Sequence, residues 1–217
     1  FNKTCNELIR VAQNMPFTLY EAGKEVLPIR AKIIWYGDIY LDGPNAIRET
    51  EYFWISDSIQ MLEKYMELET AITGSEKPES GMEALCLATE RLAESSAKNG
   101  MIILCSEFGA YDLDILEKRG SEYTPQVRPL DIGQFVMSWN EDWCDMLGTE
   151  YSSDIRQYHP HDCCAWQHCG CRLNHRSLIL NTPYQYPWSE LEVDLHRCLL
   201  AHELDDVIKL LIASIND

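Results

Sequence analysis

Two patterns of apolar and polar positions follow one another along the chain, one typical of helices and the other typical of strands. Apolar residues at steps of three and four predict amphipathic helices at about 1–19, 56–68, 78–99, 131–147, 189–199 and 204–215. Continuous apolar runs bounded by turn formers predict buried strands at 29–36, 101–105 and 177–181. This alternation favours an α/β fold with a doubly wound, mostly parallel central sheet and helices on both faces.

One domain over residues 1–217 is the simplest division of a chain of this length. Residues 148–173 show neither the helical nor the strand pattern and are predicted to be an insertion within this domain. In open parallel sheets, ligands collect beyond the carboxyl ends of the strands. Asp38, Ser106 and Glu107 follow two predicted strands, and the loop 73–76 precedes a predicted helix. We therefore expect a binding face at this edge.

Four stretches carry, in order, a resemblance to a known family. They lie at 33–43, 73–85, 102–111 and 178–188. They resemble, respectively, a strand with an Arg-Asp-Tyr type turn, an acidic Gly-rich loop with Pro-Glu, a strand ending in Thr-Asp-Ala, and a last strand with an aromatic Pro-Trp turn. The chain therefore resembles a divergent bacterial branch of the von Willebrand factor A family, in which segments of these kinds occur in this order. The resemblance implies that family's Rossmann-like fold.

The resemblance also implies a divalent-cation site. In the family, hydroxyls and carboxylates from three loops hold a cation such as Mg²⁺, whose open position accepts a carboxylate of a protein partner. The resemblance places Glu76 and Glu107 in two of these loops, with the hydroxyls of Thr73, Ser75 and Ser106 nearby. Solvated acids near helix starts are the equally open alternative. Because glutamate is one methylene longer than aspartate, a cation site here would be degenerate.

The family's first metal-binding loop, Asp-x-Ser-x-Ser, has no counterpart in this sequence. Either an upstream segment supplies it, or the site is absent. A missing central strand would leave a hole in the sheet, so we favour an upstream segment.

The net charge narrows the choice of partner. Acidic residues outnumber basic ones by 35 to 18, which gives a formal charge of −17 and repels phosphate backbones and anionic lipids. This disfavours a nucleic-acid partner. Three explanations of the negative charge remain: the partner is a protein with a basic patch, the chain mimics nucleic acid, or the acidic surface only keeps the protein soluble. No apolar run is long enough to cross a bilayer, and no signal peptide is visible, so we expect a cytoplasmic protein without a membrane partner.

Cysteine and histidine residues concentrate in and beside the insertion. They are His159, His161, Cys163, Cys164, His168, Cys169, Cys171 and His175. Thiolate and imidazole are preferred zinc ligands, so a subset of these residues is a candidate structural zinc site. The spacing is not that of a standard zinc finger, which leaves a plain insertion, a disulfide or a redox function as alternatives.

The sequence thus predicts a protein-binding module rather than an enzyme. The partner-binding residues would lie around Asp38, Thr73, Ser75, Glu76 and Glu107. A zinc-dependent enzyme that uses the insertion, and an acidic decoy of a nucleic-acid-binding protein, are the competing hypotheses. No Gly-x-Gly-x-x-Gly or Walker signature is present, so no nucleotide cofactor is expected. The resemblance to bacterial stress or defence components is analogy alone.

Overall fold

The computed structural model describes residues 14, 16–21, 23, 29–54, 78–95, 99–112, 131–139, 175–195, 198–201, 206–207 and 209–210. Within them the helices are α1 (Ile39–Asp42), α2 (Gly81–Glu94), α3 (Ile132–Trp139) and α4 (Trp188–Asp194). A 3₁₀ turn covers Gly43–Asn45. Residues 16–21, 206–207 and 209–210 are also helical. The strands are β1 (Arg30–Ala31), β2 (Ile34–Tyr36), β3 (Ile47–Glu49), β4 (Phe53–Trp54), β5 (Asn99–Cys105), β6 (His175–Asn181) and β7 (Cys198–Leu200).

A three-stranded parallel sheet forms the centre of the described structure, in the order β5-β6-β7. Its register joins Met101 to Ser177 and Leu178 to Cys198. The middle strand β6 is paired on both edges, and its residues Leu178, Ile179 and Leu180 are fully buried. A continuous apolar run is what a strand covered on both faces requires. The fold is therefore mixed α/β with parallel pairing at its core, as the sequence predicted at this level.

The predicted strand 29–36 differs from expectation, because it divides into β1 and β2. Both strands pair antiparallel, β1 with β4 and β2 with β3. Ile33, between the two strands, binds Thr50 twice: its N–H donates to Oγ1 at 3.1 Å, and its carbonyl accepts the Thr50 N–H at 3.0 Å. The chain reverses through α1 and a turn in which Gly43 has a φ of 57°, a conformation that suits glycine. A local reversal of this kind produces antiparallel pairing.

The predicted helix 189–199 is wrong at its end. It ends at Asp194, because Leu195 adopts an extended backbone with ψ 131°. Leu199 then belongs to β7, alongside β6. The Ala201 N–H donates to the Leu180 carbonyl at 2.8 Å and fixes the end of this strand. The spacing of the leucines by four residues predicted a longer helix, but the last of them forms a strand because it pairs with β6.

Helices α2 and α3 cover the sheet with apolar faces. The first six residues of α2 are all buried, from Gly81 to Cys86. In α3, Phe135 and Trp139 lie one turn apart and are both buried, with ring centroids 6.2 Å apart. The predicted helix 56–68, the insertion 148–173 and the far end of the predicted helix 131–147 lie outside the described residues. No helix in the described part of the chain combines the length and apolar character needed to cross a bilayer.

Candidate functional site

Ser80 joins the loop after β2 to the start of α2. Its N–H donates to the Gly37 carbonyl at 3.0 Å, and its Oγ accepts the Ile39 N–H at 3.1 Å. These bonds fix the backbone on both sides of Asp38. Asp38 itself is buried, with only 3% of its surface exposed to solvent. Asp38 Oδ2 accepts a hydrogen bond from the Tyr111 hydroxyl at 3.3 Å.

The loop after β5 is attached to the same place through Glu79. The Glu79 N–H donates to the Gly109 carbonyl at 3.4 Å, and the Tyr111 N–H donates to the Glu79 carbonyl at 2.9 Å. At the start of this loop, Ser106 Oγ donates to the Phe108 carbonyl at 2.8 Å. The Ser106 hydroxyl thereby closes a tight turn, for which serine is well suited.

The loop after β6 packs against the loop after β5. Trp188 Nε1 donates to the Phe108 carbonyl at 2.9 Å, and the Tyr186 hydroxyl donates to Asp112 Oδ2 at 2.5 Å. The backbones also approach closely, since a Cβ on Gly109 would lie 2.6 Å from the Tyr186 carbonyl oxygen. We call the surface formed by residues 37–42, 79–80, 106–112 and 182–188 the strand-end face.

Tyr36 connects β2 to the end of β5 beneath the strand-end face. Its hydroxyl donates to the Cys105 carbonyl at 2.7 Å. Burial raises the pKa of Tyr36 well above its ordinary value, so the hydroxyl remains a neutral donor. The strand-end face therefore rests on a network of backbone and buried side-chain hydrogen bonds, which holds its side chains in place.

Negative charge concentrates at the strand-end face. Burial raises the pKa of Glu79 to about 7, and the nearby carboxylates of Asp38, Glu107 and Asp42 add to the effect. Glu79 is therefore protonated more readily than an exposed glutamate. The structure thus brings Asp38 and Glu107, both selected from the sequence, close to an acid that the sequence analysis did not select.

Large side chains are exposed around these acids. Tyr184, Leu41 and Tyr186 show 73%, 62% and 45% of their surfaces to solvent. Glu107 is also exposed. Tyrosine is enriched at protein interfaces, because it offers a large contact area together with a hydroxyl. The strand-end face combines these tyrosines with carboxylates.

Comparison of this chain with models of protein families, with curated proteins and with solved structures finds no match.

Several sequence-predicted site residues lie outside the described part of the chain. They are Thr73, Ser75, Glu76, His159, His161, Cys163, Cys164, His168, Cys169 and Cys171. Among the residues that are described, no three histidine, cysteine, aspartate or glutamate side chains converge as a metal site. The zinc site and the Mg²⁺ site remain predictions.

His175, the last residue of the predicted zinc cluster, is the first residue of β6. Because β5 and β6 are parallel and His175 pairs with Asn99, it lies at the amino end of both strands. The strand-end face follows their carboxyl ends, seven residues later. At about 3.3 Å per residue, the two ends are roughly 20 Å apart. His175, the first residue of β6, therefore lies at the end of the sheet opposite the strand-end face.

Sequence reasoning missed Glu79, Glu83, Tyr111, Asp112 and Tyr186. One signal for Glu83 was visible, since Ser80 and Glu83 form a Ser-x-x-Glu pattern at a helix start. The other four take part through contacts between segments far apart in the chain, for which a single sequence carries no local signal.

Proposed function

We propose that this chain is a cytoplasmic protein-binding module resembling a von Willebrand factor A domain, and that the strand-end face is its binding surface. The observation that carries the proposal is the pair of exposed tyrosines, Tyr184 and Tyr186, beside a concentration of carboxylates on a hydrogen-bonded framework. A framework fixed in this way loses little conformational freedom on binding.

The charge of the strand-end face indicates the chemistry of the partner. The whole chain carries a formal charge of −17, and Glu107 adds an exposed carboxylate to the face. Complementary charge favours a partner with a basic patch and speeds its association. Asp38 is buried, so in this proposal it supports the loop from beneath, while Glu107 and the two tyrosines contact the partner.

Two cation sites belong to the same proposal. Ser106 and Glu107, together with Thr73, Ser75 and Glu76, would hold Mg²⁺ in a degenerate form of the family's site. The cysteines and histidines of the insertion would hold a structural zinc ion. Elemental analysis of purified protein before and after mild chelation tests both. Elemental analysis should find about one tightly held zinc per chain. Thermal unfolding with added magnesium tests the second site, and we expect a rise in melting temperature that Glu107→Gln removes.

Site-specific photo-crosslinking tests the binding surface directly. A photo-reactive amino acid at position 184 is expected to capture a protein in cells, and Glu107→Gln or added salt should reduce the yield. Position 20 provides a matched control, because Tyr20 is also 73% exposed but lies in the helical stretch 16–21. Equal products from positions 184 and 20 would contradict the proposal.

The identity of the captured protein separates the competing functions. Capture of a nucleic-acid-binding protein that nucleic acid displaces would favour the acidic decoy. Hydrolytic activity lost on zinc removal would favour the zinc-dependent enzyme.

A further inference from the structure

A second exposed surface lies on the short sheet of β1 and β4. Arg30 is opposite Trp54 in the register of this sheet, and side chains two residues apart on a strand share a face. The Arg30 guanidinium lies 5.5 Å from the centre of the Tyr52 ring and 5.7 Å from that of the Trp54 ring. Lys32 Nζ lies 5.2 Å from the centre of the Tyr52 ring. We call the surface formed by these two cations and two aromatic rings the cation-aromatic face.

Contacts with the end of α2 hold the cation-aromatic face in place. Arg30 Nη2 donates to the Ser95 carbonyl at 2.9 Å, and the Tyr52 hydroxyl donates to the Arg91 carbonyl at 2.6 Å. Arg30 is nevertheless exposed, as is 44% of the Trp54 surface. Arginine, tryptophan and tyrosine dominate the binding energy of protein interfaces, and side chains that are already fixed lose little freedom on binding. The face therefore has the composition and the order of a protein-binding surface.

The charge that this face offers to a partner comes from Arg30. Lys32 and Arg91 each form an ion pair with Glu49, at 2.8 and 2.9 Å, and only 10% of the Lys32 side chain is exposed. The exposed arginine presents its N–H donors in a rigid fork that matches the two oxygens of a carboxylate. The cation-aromatic face therefore fits a surface that carries a carboxylate beside aromatic rings. The strand-end face has this composition.

The two faces lie at opposite ends of α2. Ser80 directly precedes α2 and belongs to the strand-end face, whereas Ser95 directly follows α2 and accepts the hydrogen bond from Arg30. The 14 residues of α2 span roughly 20 Å at about 1.5 Å per residue. Because a helix of this length is rigid, one molecule cannot bring its own two faces together. A contact between them has to join two molecules.

We propose that the cation-aromatic face of one molecule binds the strand-end face of a second copy of this chain. In this contact the exposed Glu107 carboxylate pairs with Arg30, and the exposed rings of Tyr184 and Tyr186 pack beside Trp54. Dominant residues of one binding surface tend to meet those of the other. This contact rests on the proposed function, because it names the protein that the strand-end face binds.

The contact joins two different surfaces, so each molecule keeps one face open for the next copy. Such head-to-tail contacts build open chains, or rings where the rotation between copies closes. The formal charge of −17 on every copy opposes association at long range. In physiological salt, however, charges separated by more than about 8 Å are largely screened, and the charges at the contact decide the outcome.

Sedimentation velocity of the purified 217-residue chain over a range of concentrations tests the contact. We expect larger species as the concentration rises at about 0.15 M salt, and weaker association at about 1 M salt. Arg30→Glu and Glu107→Gln should each weaken association about tenfold or more. Two controls should leave it unchanged. Lys209→Glu makes the same change of charge as Arg30→Glu at a side chain that is 76% exposed, and Glu21→Gln removes an exposed acid from the helical stretch 16–21.

A mixture of the two variants tests the head-to-tail arrangement. Arg30→Glu keeps its strand-end face intact, and Glu107→Gln keeps its cation-aromatic face intact. One complete contact is therefore available in the mixture, which should form a one-to-one dimer that cannot grow further. This recovery also shows that both variants are folded. If circular dichroism finds Arg30→Glu unfolded, Trp54→Thr replaces it, since threonine suits a strand.

Three results would each overturn this inference: a monomer at every concentration, association that both variants retain, or no dimer from two folded variants. The proposed function is judged separately by the crosslink at position 184. A monomeric chain that captures a different protein at this position would retain the strand-end face as a binding surface and lose only the second copy as its partner. A monomeric chain that captures nothing there would overturn both.

Discussion

The close approach of two loops in the strand-end face can be tested by adding one methyl group. In Gly109→Ala, the new Cβ would lie 2.6 Å from the Tyr186 carbonyl oxygen, whereas contacts below 3.0 Å are essentially never observed for Cβ atoms. One loop must therefore retreat by at least 0.4 Å, the difference between these distances. The obstacle is backbone, which cannot turn aside as a flexible side chain can.

The expected cost follows from two opposing effects. Overpacking destabilises by about 1–3 kcal/mol. Gly109 does not have a positive φ, so alanine can adopt its backbone conformation and gains about 0.4–1 kcal/mol from a less flexible unfolded chain. We expect the free energy of unfolding to fall by about 1–2 kcal/mol.

Urea denaturation of Gly109→Ala beside Gly133→Ala measures this cost. Gly133 is exposed in the first turn of α3, where the Cβ of alanine would lie 3.2 Å from Asp131 Oδ1, the end of a side chain that can shift, and alanine is the better helix former by up to about 1 kcal/mol. The control variant should therefore be as stable as the parent or more stable. If Gly109→Ala is within about 0.5 kcal/mol of the parent, the two loops do not pack as described.

Three further predictions concern single contacts. Because burial and neighbouring acids raise the pKa of Glu79 from 4.5 to about 7, the folded protein holds a proton that the unfolded chain releases, so stability should fall as pH rises across this window. Glu79→Gln should reduce that slope in urea titrations at several pH values and leave the part due to Glu83, whose pKa burial also raises to about 7; an unchanged slope would contradict the assignment. Trp188→Phe removes the indole N–H that donates to the Phe108 carbonyl and should lower stability by about 1–3 kcal/mol in thermal unfolding, whereas an unchanged midpoint would show that the bond contributes nothing. Arg91→Gln breaks the ion pair with Glu49. Because both side chains are partly exposed, we expect the free energy of unfolding to fall by at most about 1 kcal/mol, and by less in high salt. A loss that does not depend on salt would mean that packing, not charge, is responsible.

The sequence predicted the central strands well, because each is a continuous apolar run between turn formers. The runs at 101–105 and 177–181 became β5 and β6, lengthened at their amino ends by residues of weaker signal. The helix predicted over 78–99 ends at Glu94, and Gly100, the residue after the predicted range, lies inside β5, where a Cβ would meet the Leu92 side chain at 2.5 Å. Close packing of α2 on the strand explains this glycine.

The strand-end face was predictable only in outline. Asp38 and Glu107 were found because strand ends gather at one edge of a parallel sheet. The hydrogen bonds of Tyr111 to Asp38 and of Tyr186 to Asp112 join residues more than 70 positions apart. The raised pKa of Glu79 depends on burial and on acidic neighbours from two other segments, the loop after β2 and the loop after β5, and neither segment lies next to Glu79 in the sequence.

The pairing of β5 with β6 also determines when this protein can fold during its synthesis. Met101 pairs with Ser177, which is 76 residues later in the chain. At about 5–20 residues per second, a ribosome takes roughly 4–15 s to make that interval. Throughout this time β5 has emerged without its partner strand, and loop closure over such a distance is intrinsically slow. An apolar strand that waits for seconds is a natural substrate for chaperones that bind nascent chains.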